Sequence, residues 1–185
     1  MISEQGRAVA ENVQSKVRVS LAALTLSILV SAAANAAEPQ VCFTPGEDCD
    51  GMLINQIGRA KSEILVQAML FTNMKIAKAL VVAEERGVKV RAIFSRRTGK
   101  AAAYLHERGV DIVQDTDVKT QHNKVMILDR SIVATGSYNY TNAAENKNAE
   151  NIVFLDTPGV AKRFVDNWIK RANASHPYKP DEASR

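Results

Sequence analysis

The chain has 185 residues, a length typical of one domain and sufficient to bury a hydrophobic core without covalent staples. Its 24 lysines and arginines against 20 aspartates and glutamates give a net charge of +4, which excludes a histone-like polycation. A charge this small fits a polyanionic partner and an ordinary soluble surface equally well.

The N-terminal segment has the order of parts found in a secretory signal peptide. Lys16 and Arg18 precede the apolar run Val19–Val30, and an Ala34-Asn35-Ala36 site follows. We therefore expect residues 1–36 to be cleaved after about Ala36, which makes the mature protein periplasmic or secreted and leaves it without stable membrane association. The alternative is a retained anchor, because the run to Ala37 is nearly long enough to cross a bilayer.

The two cysteines, Cys42 and Cys49, come soon after the expected cleavage site. In an exported chain such a pair favours a disulfide over two free thiols. Closing so small a loop stabilises a fold by roughly 2.5 kcal/mol in the chain-entropy model. The three histidines share no metal-ligand spacing with these cysteines, and no cofactor motif is present, so neither a metal site nor a cofactor is expected.

Residues 49–114 alternate between helical and strand periodicity. The pattern predicts helices over Cys49–Ala60, Met74–Arg86 and Gly99–Arg108, and strands over Ser62–Leu70, Val88–Phe94 and Val110–Gln114. Strands that alternate with helices in this way indicate an α/β fold. We expect one domain, residues 37–174, with a mixed β-sheet sandwiched by helices on both faces.

The second half of the chain changes character. His122–Leu128 and Ile132–Gly136 are predicted strands separated only by Asp129-Arg130-Ser131, which indicates a hairpin. The pattern then predicts a short helix over Thr141–Asn146, a strand over Glu150–Leu155 and a closing helix over Pro158–Ala172. Residues 175–185 are polar and are expected to form a loose tail.

Polar side chains are concentrated around this hairpin. His122 and Lys124 lie two residues apart on a predicted strand, so they are expected on one face, and Ser137 and Asn139 repeat the spacing. Taken singly, each is more typical of a core residue or a turn than of catalysis. Together they place four polar groups beside apolar strands, where an anionic ligand would offset the cost of burying them.

The complete pattern is His122-Asn123-Lys124, four residues, Asp129, six residues, and then Gly136-Ser137-Tyr138-Asn139. It resembles, without a gap, the H-x-K-(x)4-D-(x)6-G-S-x-N signature of the phospholipase D superfamily. The resemblance extends from about Val41 to Trp168. It is strong for the single-motif, Nuc-like bacterial endonucleases, which share a tract similar to residues 147–151.

The resemblance implies a metal-independent phosphodiesterase. His122 would attack phosphorus to form a phosphohistidine, a second motif histidine would protonate the leaving oxygen, and water would release the product. Lys124, Ser137 and Asn139 would bind the phosphoryl oxygens. Because one chain carries one motif, the resemblance implies a homodimer with one composite active site. The other histidines, His106 and His176, lack motif-like surroundings.

Two acidic residues receive different roles. Glu150 matches the family position whose carboxylate hydrogen-bonds the catalytic histidine and fixes its tautomer. Asp129 follows a strand at a turn, where aspartate commonly stabilises the bend. We therefore expect Glu150 to belong to the catalytic set and Asp129 to be structural.

The motif does not choose the substrate, because this fold serves several kinds of phosphodiester. Small size and the Nuc-like resemblance favour a nonspecific endonuclease that hydrolyses DNA or RNA. Basic residues could follow a phosphate backbone or form a solvated surface; they are Arg96, Arg97, Lys100, Lys119 and Lys147. The alternatives are an exported phospholipase D-type lipid phosphodiesterase and a catalytically silent nucleic-acid-binding protein.

Overall fold

Helices and strands alternate along the chain in the computed structural model, which describes residues 38–96 and 99–180. The strands are β1 (Gln40–Thr44), β2 (Glu63–Ala68), β3 (Lys89–Phe94), β4 (Asp111–Gln114), β5 (Lys124–Leu128), β6 (Ile132–Gly136), β7 (Glu150–Asp156) and β8 (His176–Pro177). The helices are α1 (Cys49–Arg59), α2 (Met74–Glu85), α3 (Lys100–Glu107), α4 (Asn142–Asn146) and α5 (Pro158–Asn173). The signal-peptide prediction falls on residues 1–36, which lie outside the described part.

The strands form one mixed sheet in the order β1-β7-β6-β5-β2-β3-β4-β8. Strands β2, β3 and β4 run parallel because α2 and α3 provide the crossovers between them, whereas the other neighbours are antiparallel. This arrangement confirms the predicted α/β class. Strands β5 and β2 lie at the centre of the sheet, so the motif strand β5 is held from both sides.

Helices cover both faces of the sheet, as predicted. On one face α1, α2 and α3 bury residues such as Leu53, Leu80 and Leu105 in the larger hydrophobic cluster. On the other face α5 packs Val165 and Trp168 over the smaller cluster. The indole Nε1 of Trp168 also donates to the backbone oxygen of Val66 at 2.9 Å, so it leaves no unpaired donor in this core.

Strands β5 and β6 form the predicted hairpin, with Leu128 opposite Ile132. Its turn needs two residues with positive φ, Asp129 at 50° and Arg130 at 57°. Aspartate tolerates this conformation better than most side chains, which agrees with its place in the turn.

Strand β1 was not predicted. It pairs with β7 across more than a hundred residues of chain and forms one edge of the sheet. The Cys42 and Cys49 sulfurs form a disulfide with a Cα–Cα distance of 5.7 Å, and both residues are fully buried. The disulfide therefore links β1 to the first residue of α1.

The predicted loose tail is wrong for residues 175–180. His176 and Pro177 form β8, which pairs with Gln114 and Val113 of β4. The side chain of Tyr178 is buried and packs edge-on against His106, with ring centroids 5.2 Å apart. The tail is ordered because it covers the outer edge of β4, whose backbone groups would otherwise be unpaired. Residues 181–185 lie outside the described part.

Within residues 38–96 and 99–180, no helix has the length and apolar content needed to cross a bilayer.

Candidate active site

His122 and Lys124 meet at the start of β5. The strand begins at Lys124, so the predicted strand His122–Leu128 is two residues too long and His122 lies in the preceding loop. The loop still brings the two side chains together: Lys124 Nζ lies 3.1 Å from His122 Nδ1 and donates to the His122 backbone oxygen at 2.7 Å. His122 and Lys124 therefore contact each other directly, instead of projecting side by side from one strand.

Lys124 is a buried cation. The residue is 7% exposed, and its Nζ also lies 3.9 Å from Met69 Sδ. Burial lowers the pKa of Lys124 below its ordinary value, although the negative charge of Glu150 opposes this shift. No acidic side chain forms a salt bridge with Lys124 within the described residues. Glu150 therefore acts on the Lys124 charge only from a distance.

The end of β6 forms the facing wall. Thr135 Oγ1 donates to the Lys124 backbone oxygen at 3.0 Å, and the exposed Ser137 accepts a hydrogen bond from the Asn151 backbone N–H through its Oγ at 3.1 Å. A Cβ atom on Gly136 would lie only 2.2 Å from the Asn151 backbone oxygen. Glycine is therefore required here because β6 and β7 approach too closely for any side chain.

Asn139 completes the wall beyond Ser137. Its Oδ1 is shut off from solvent and has no hydrogen-bond partner within the described residues. An unsatisfied buried polar atom costs about 1–3 kcal/mol. Asn139 also lines the pocket formed here, where its amide nitrogen is the group able to donate to an anion.

These side chains surround one surface pocket of about 330 Å³. Its lining residues have polar side chains or none; they are His122, Asn123, Lys124, Thr135, Gly136, Ser137 and Asn139. We call it the catalytic pocket. The structure thus brings together four of the five predicted site residues, with the cation Lys124 and several hydrogen-bonding groups around one imidazole.

Glu150, the fifth, does not make the predicted hydrogen bond. Within the described part of the chain, its Oε1 accepts from Asn148 Nδ2 at 2.9 Å, while His122 Nδ1 faces Lys124 instead. The carboxylate acts on the site through its charge, which opposes the lowering of the Lys124 pKa. A direct role in orienting His122 would require Lys124 to move away from Nδ1.

Asp129 lies at the opposite end of β5, at the turn. Its carboxylate accepts hydrogen bonds from the Lys61, Ser62 and Glu63 backbone N–H groups and from Ser62 Oγ, at 2.8–3.1 Å. Burial alone would raise the pKa of Asp129, but these hydrogen bonds outweigh burial and hold it below its usual value. The carboxylate joins the hairpin turn to the start of β2, which is a structural role.

We expect Asp129→Asn to lower the free energy of unfolding by about 1–2 kcal/mol and to change kcat/KM less than about twofold. Asparagine tolerates positive φ and retains one acceptor, so the variant mainly removes the carboxylate. Because the folded-state pKa is lowered, the stabilisation is complete above the unfolded-state pKa and is lost as pH falls through the folded-state pKa. Urea unfolding of both proteins at pH 7 and at pH 3 measures this difference. An equal loss at both pH values would contradict it.

One buried network near the pocket was not anticipated. The Tyr138 hydroxyl lies 2.7 Å from Asp50 Oδ1 and 2.7 Å from Glu145 Oε2. Burial, together with these two carboxylates, raises the pKa of Tyr138, so the phenol remains a donor. Asn73 Nδ2 also donates to Asp50 at 2.8 Å. The network anchors the Ser137–Asn139 segment to the disulfide-linked end of α1. The one feature of the sequence that could have indicated this network is the tyrosine at the variable x position of the G-S-x-N motif, Tyr138.

No group of three or more histidine, cysteine, aspartate or glutamate residues in the described part of the chain is placed to hold a metal ion. The other two histidines lie away from the catalytic pocket. His106 packs against Tyr178, and His176 Nε2 lies 3.5 Å from an Asp117 carboxylate oxygen.

Comparison with known proteins agrees with this geometry. Residues 53–171 match the family model described as "Cardiolipin synthase, PLD-like domain". The chain is 40% identical over 134 residues to a phospholipase D of Rickettsia felis, an alignment that covers 70% of this chain and 67% of that protein.

Two solved structures resemble the fold. Nuc from Salmonella typhimurium, a phospholipase D family member, superposes with a TM-score of 0.72 and 36% identity, covering 77% of this chain and 98% of that one. NucT from Helicobacter pylori gives a TM-score of 0.70 at 22% identity, covering 76% of this chain and 99% of that one. The family match, the relative and the fold lead to one conclusion: this chain belongs to the phospholipase D superfamily and is a phosphodiesterase.

Proposed function

We propose that the protein is an exported, metal-independent endonuclease that hydrolyses nucleic acid through a phosphohistidine on His122, in a homodimer with one composite active site. The observation that carries this proposal is the polar catalytic pocket, whose lining consists of six polar residues and one glycine. A phosphate and the sugar oxygens bonded to it would contact a cation and hydrogen-bonding groups in this pocket. An acyl chain would find no apolar wall among the described lining residues.

The first chemical step transfers the phosphoryl group to His122. Its imidazole Nε2 forms a bond to phosphorus as the bond to the leaving oxygen breaks, and a second, protonated imidazole gives that oxygen its proton. Water then attacks phosphorus, the second imidazole takes the proton from the water, and the bond to His122 breaks. Lys124 and the Asn139 amide stabilise the charge on the non-bridging oxygens.

The resting contact between Lys124 and His122 affects this step. A charged Lys124 ammonium can only donate, so its contact with Nδ1 would place the proton of a neutral imidazole on Nε2, which could not then attack. A phosphate that draws the Lys124 ammonium away frees Nδ1 to take up a proton from water. Nε2 then loses its proton to water, and its lone pair becomes the nucleophile. Substrate binding would therefore prepare the nucleophile.

The second imidazole must come from outside the chain's own pocket. His122 is the only histidine that lines the catalytic pocket among the described residues. A twofold axis beside the pocket would bring in His122 of the partner subunit as the acid. Each chain would then supply half of one site.

Export is supported by the disulfide between Cys42 and Cys49, because such bonds persist in oxidising compartments and are rare in the cytosol. It fits the signal-peptide pattern of residues 1–36. We place the mature enzyme in the periplasm or outside the cell.

A lipid phosphodiesterase is the second candidate, favoured by the relative named phospholipase D. Incubation with supercoiled plasmid DNA, phosphatidylcholine vesicles and cardiolipin vesicles, all in excess EDTA, separates the two. We expect plasmid nicking and degradation with little lipid turnover, and no activity from a parallel preparation of His122→Ala. DNA cleavage that stops in EDTA would refute the metal-free mechanism, and turnover of lipid alone would refute the endonuclease.

A further inference from the structure

A second pocket of about 310 Å³ adjoins the catalytic pocket, where the loops after β2, β3 and β4 meet. We call it the flanking pocket. Its lining includes Met69, Ser95, Arg96, Lys119, Thr120 and Gln121. Two of these are cations, and three carry hydroxyl or amide groups that can donate to an anion.

The side chains that line the flanking pocket give it a net positive charge. Asp115 also lines it, but that carboxylate forms a two-point ion pair with Arg171 of α5 and is already neutralised. Arg96 uses one N–H on the Thr116 backbone oxygen at 3.0 Å, which orients its guanidinium. Lys119 is exposed and makes no hydrogen bond or ion pair within residues 38–96 and 99–180. Its charge is available to a ligand.

Gln121 gives the pocket a buried donor without an acceptor. The residue is 3% exposed, and its Oε1 accepts from the Asn123 backbone N–H at 2.7 Å. That bond fixes the amide and leaves Nε2, which has no partner within the described residues. A buried donor left unpaired costs about 1–3 kcal/mol, so the site favours an acceptor such as a phosphate oxygen.

The two pockets are directly connected through the chain. Gln121 of the flanking pocket immediately precedes His122 of the catalytic pocket. Met69 also lines the flanking pocket, and its Sδ lies 3.9 Å from Lys124 Nζ. Residues that line the two pockets are therefore adjacent in the chain and in contact across the fold.

We propose that the flanking pocket binds the backbone phosphate next to the scissile one, through Arg96, Lys119 and Gln121. This inference rests on the proposed endonuclease function and deepens it, because the enzyme then selects polymers of phosphodiesters over isolated ones. A polynucleotide presents such a second phosphate at every cleavage site, whereas phosphatidylcholine has only one phosphate.

Lys119→Gln tests the pocket against a matched control, Lys78→Gln, which removes an exposed lysine on α2. The diagnostic is the ratio of kcat/KM on a single-stranded DNA dodecamer to kcat/KM on bis(p-nitrophenyl) phosphate, which has no second phosphate. We expect this ratio to fall about tenfold in Lys119→Gln and to change less than twofold in the control. The slope of log Kd for the dodecamer against log salt should decrease by about 0.7 for the lost contact.

Binding of the dodecamer is measured in a His122→Ala background by fluorescence anisotropy, so the pocket is tested even if the protein does not cleave DNA. Equal affinities and salt slopes for Lys119→Gln and Lys78→Gln would overturn the subsite. Cardiolipin turnover is measured in parallel, because this lipid also carries two phosphates. A loss of cardiolipin turnover in Lys119→Gln with unchanged dodecamer binding would overturn the assignment to nucleic acid.

Discussion

Replacement of His122 by alanine is expected to lower kcat/KM on DNA by about 10⁴- to 10⁶-fold, because it removes the group that forms the covalent intermediate. The free energy of unfolding should change by less than about 0.5 kcal/mol, since the side chain is exposed. Steady-state cleavage of a labelled oligonucleotide measures the first quantity, and urea unfolding measures the second. A rapid alkaline quench followed by peptide mapping should locate labelled phosphate on His122 of the wild-type protein.

The controls for this prediction are the two remaining histidines. His106→Ala and His176→Ala alter side chains that lie against Tyr178 and Asp117, away from the catalytic pocket, and should keep wild-type kcat within about twofold. A loss in either variant as large as that in His122→Ala would identify a different histidine as part of the reaction. Label found on another residue would contradict the nucleophile.

The same variant tests the composite site. Wild-type and His122→Ala chains, mixed in equal amounts and refolded together from urea, form about one quarter wild-type dimers. If each site needs two copies of His122, the activity of the mixture falls to about one quarter of that of an equal total amount of protein in which every chain is wild type. A fall to one half would show that each chain works alone and would contradict the proposed dimer.

The parts of the fold that depend on nearby residues could be predicted from the sequence. The β5–β6 hairpin needs only three connecting residues, and its two strands bring His122, Lys124, Ser137 and Asn139 to one pocket. The helices and parallel strands of residues 49–114 follow from their periodicity. Asp129 was assigned to the turn because of its position, and its hydrogen bonds place it there.

Features that depend on distant parts of the chain could not be predicted. Strand β1 pairs with β7 far along the sequence, and β8 has only two residues, too few for a periodic signal. The contact between Tyr138 and Asp50 spans 88 residues. The role of Glu150 was inferred from the family resemblance, but its hydrogen bond to Asn148 depends on local side-chain geometry that residue spacing does not specify. Tertiary packing decides the pairing of β1 and β8 and the Tyr138 contact, whereas the Glu150 hydrogen bond is a local feature between residues two apart.

Replacement of Lys124 by methionine separates catalysis from stability. Methionine has a similar linear shape but no charge, so the variant loses the cation that stabilises the phosphoryl oxygens. We expect kcat/KM on DNA to fall by about 10²- to 10³-fold. The fold should be as stable as the wild type or more stable, because the wild type must keep a charged group in a site where the residue is 7% exposed.

The pH dependence of unfolding gives this prediction its second readout. Burial lowers the folded-state pKa of Lys124, so between that pKa and the ordinary lysine value the unfolded chain binds more protons than the folded one. The free energy of unfolding of the wild type should therefore rise with pH across this window, and Lys124→Met should lack that rise. Lys78→Met, on the exposed face of α2, should keep both the activity and the rise. If Lys124→Met instead destabilised the protein and kept its activity, Lys124 would be a structural residue, and the catalytic pocket would have to stabilise phosphate through neutral donors alone.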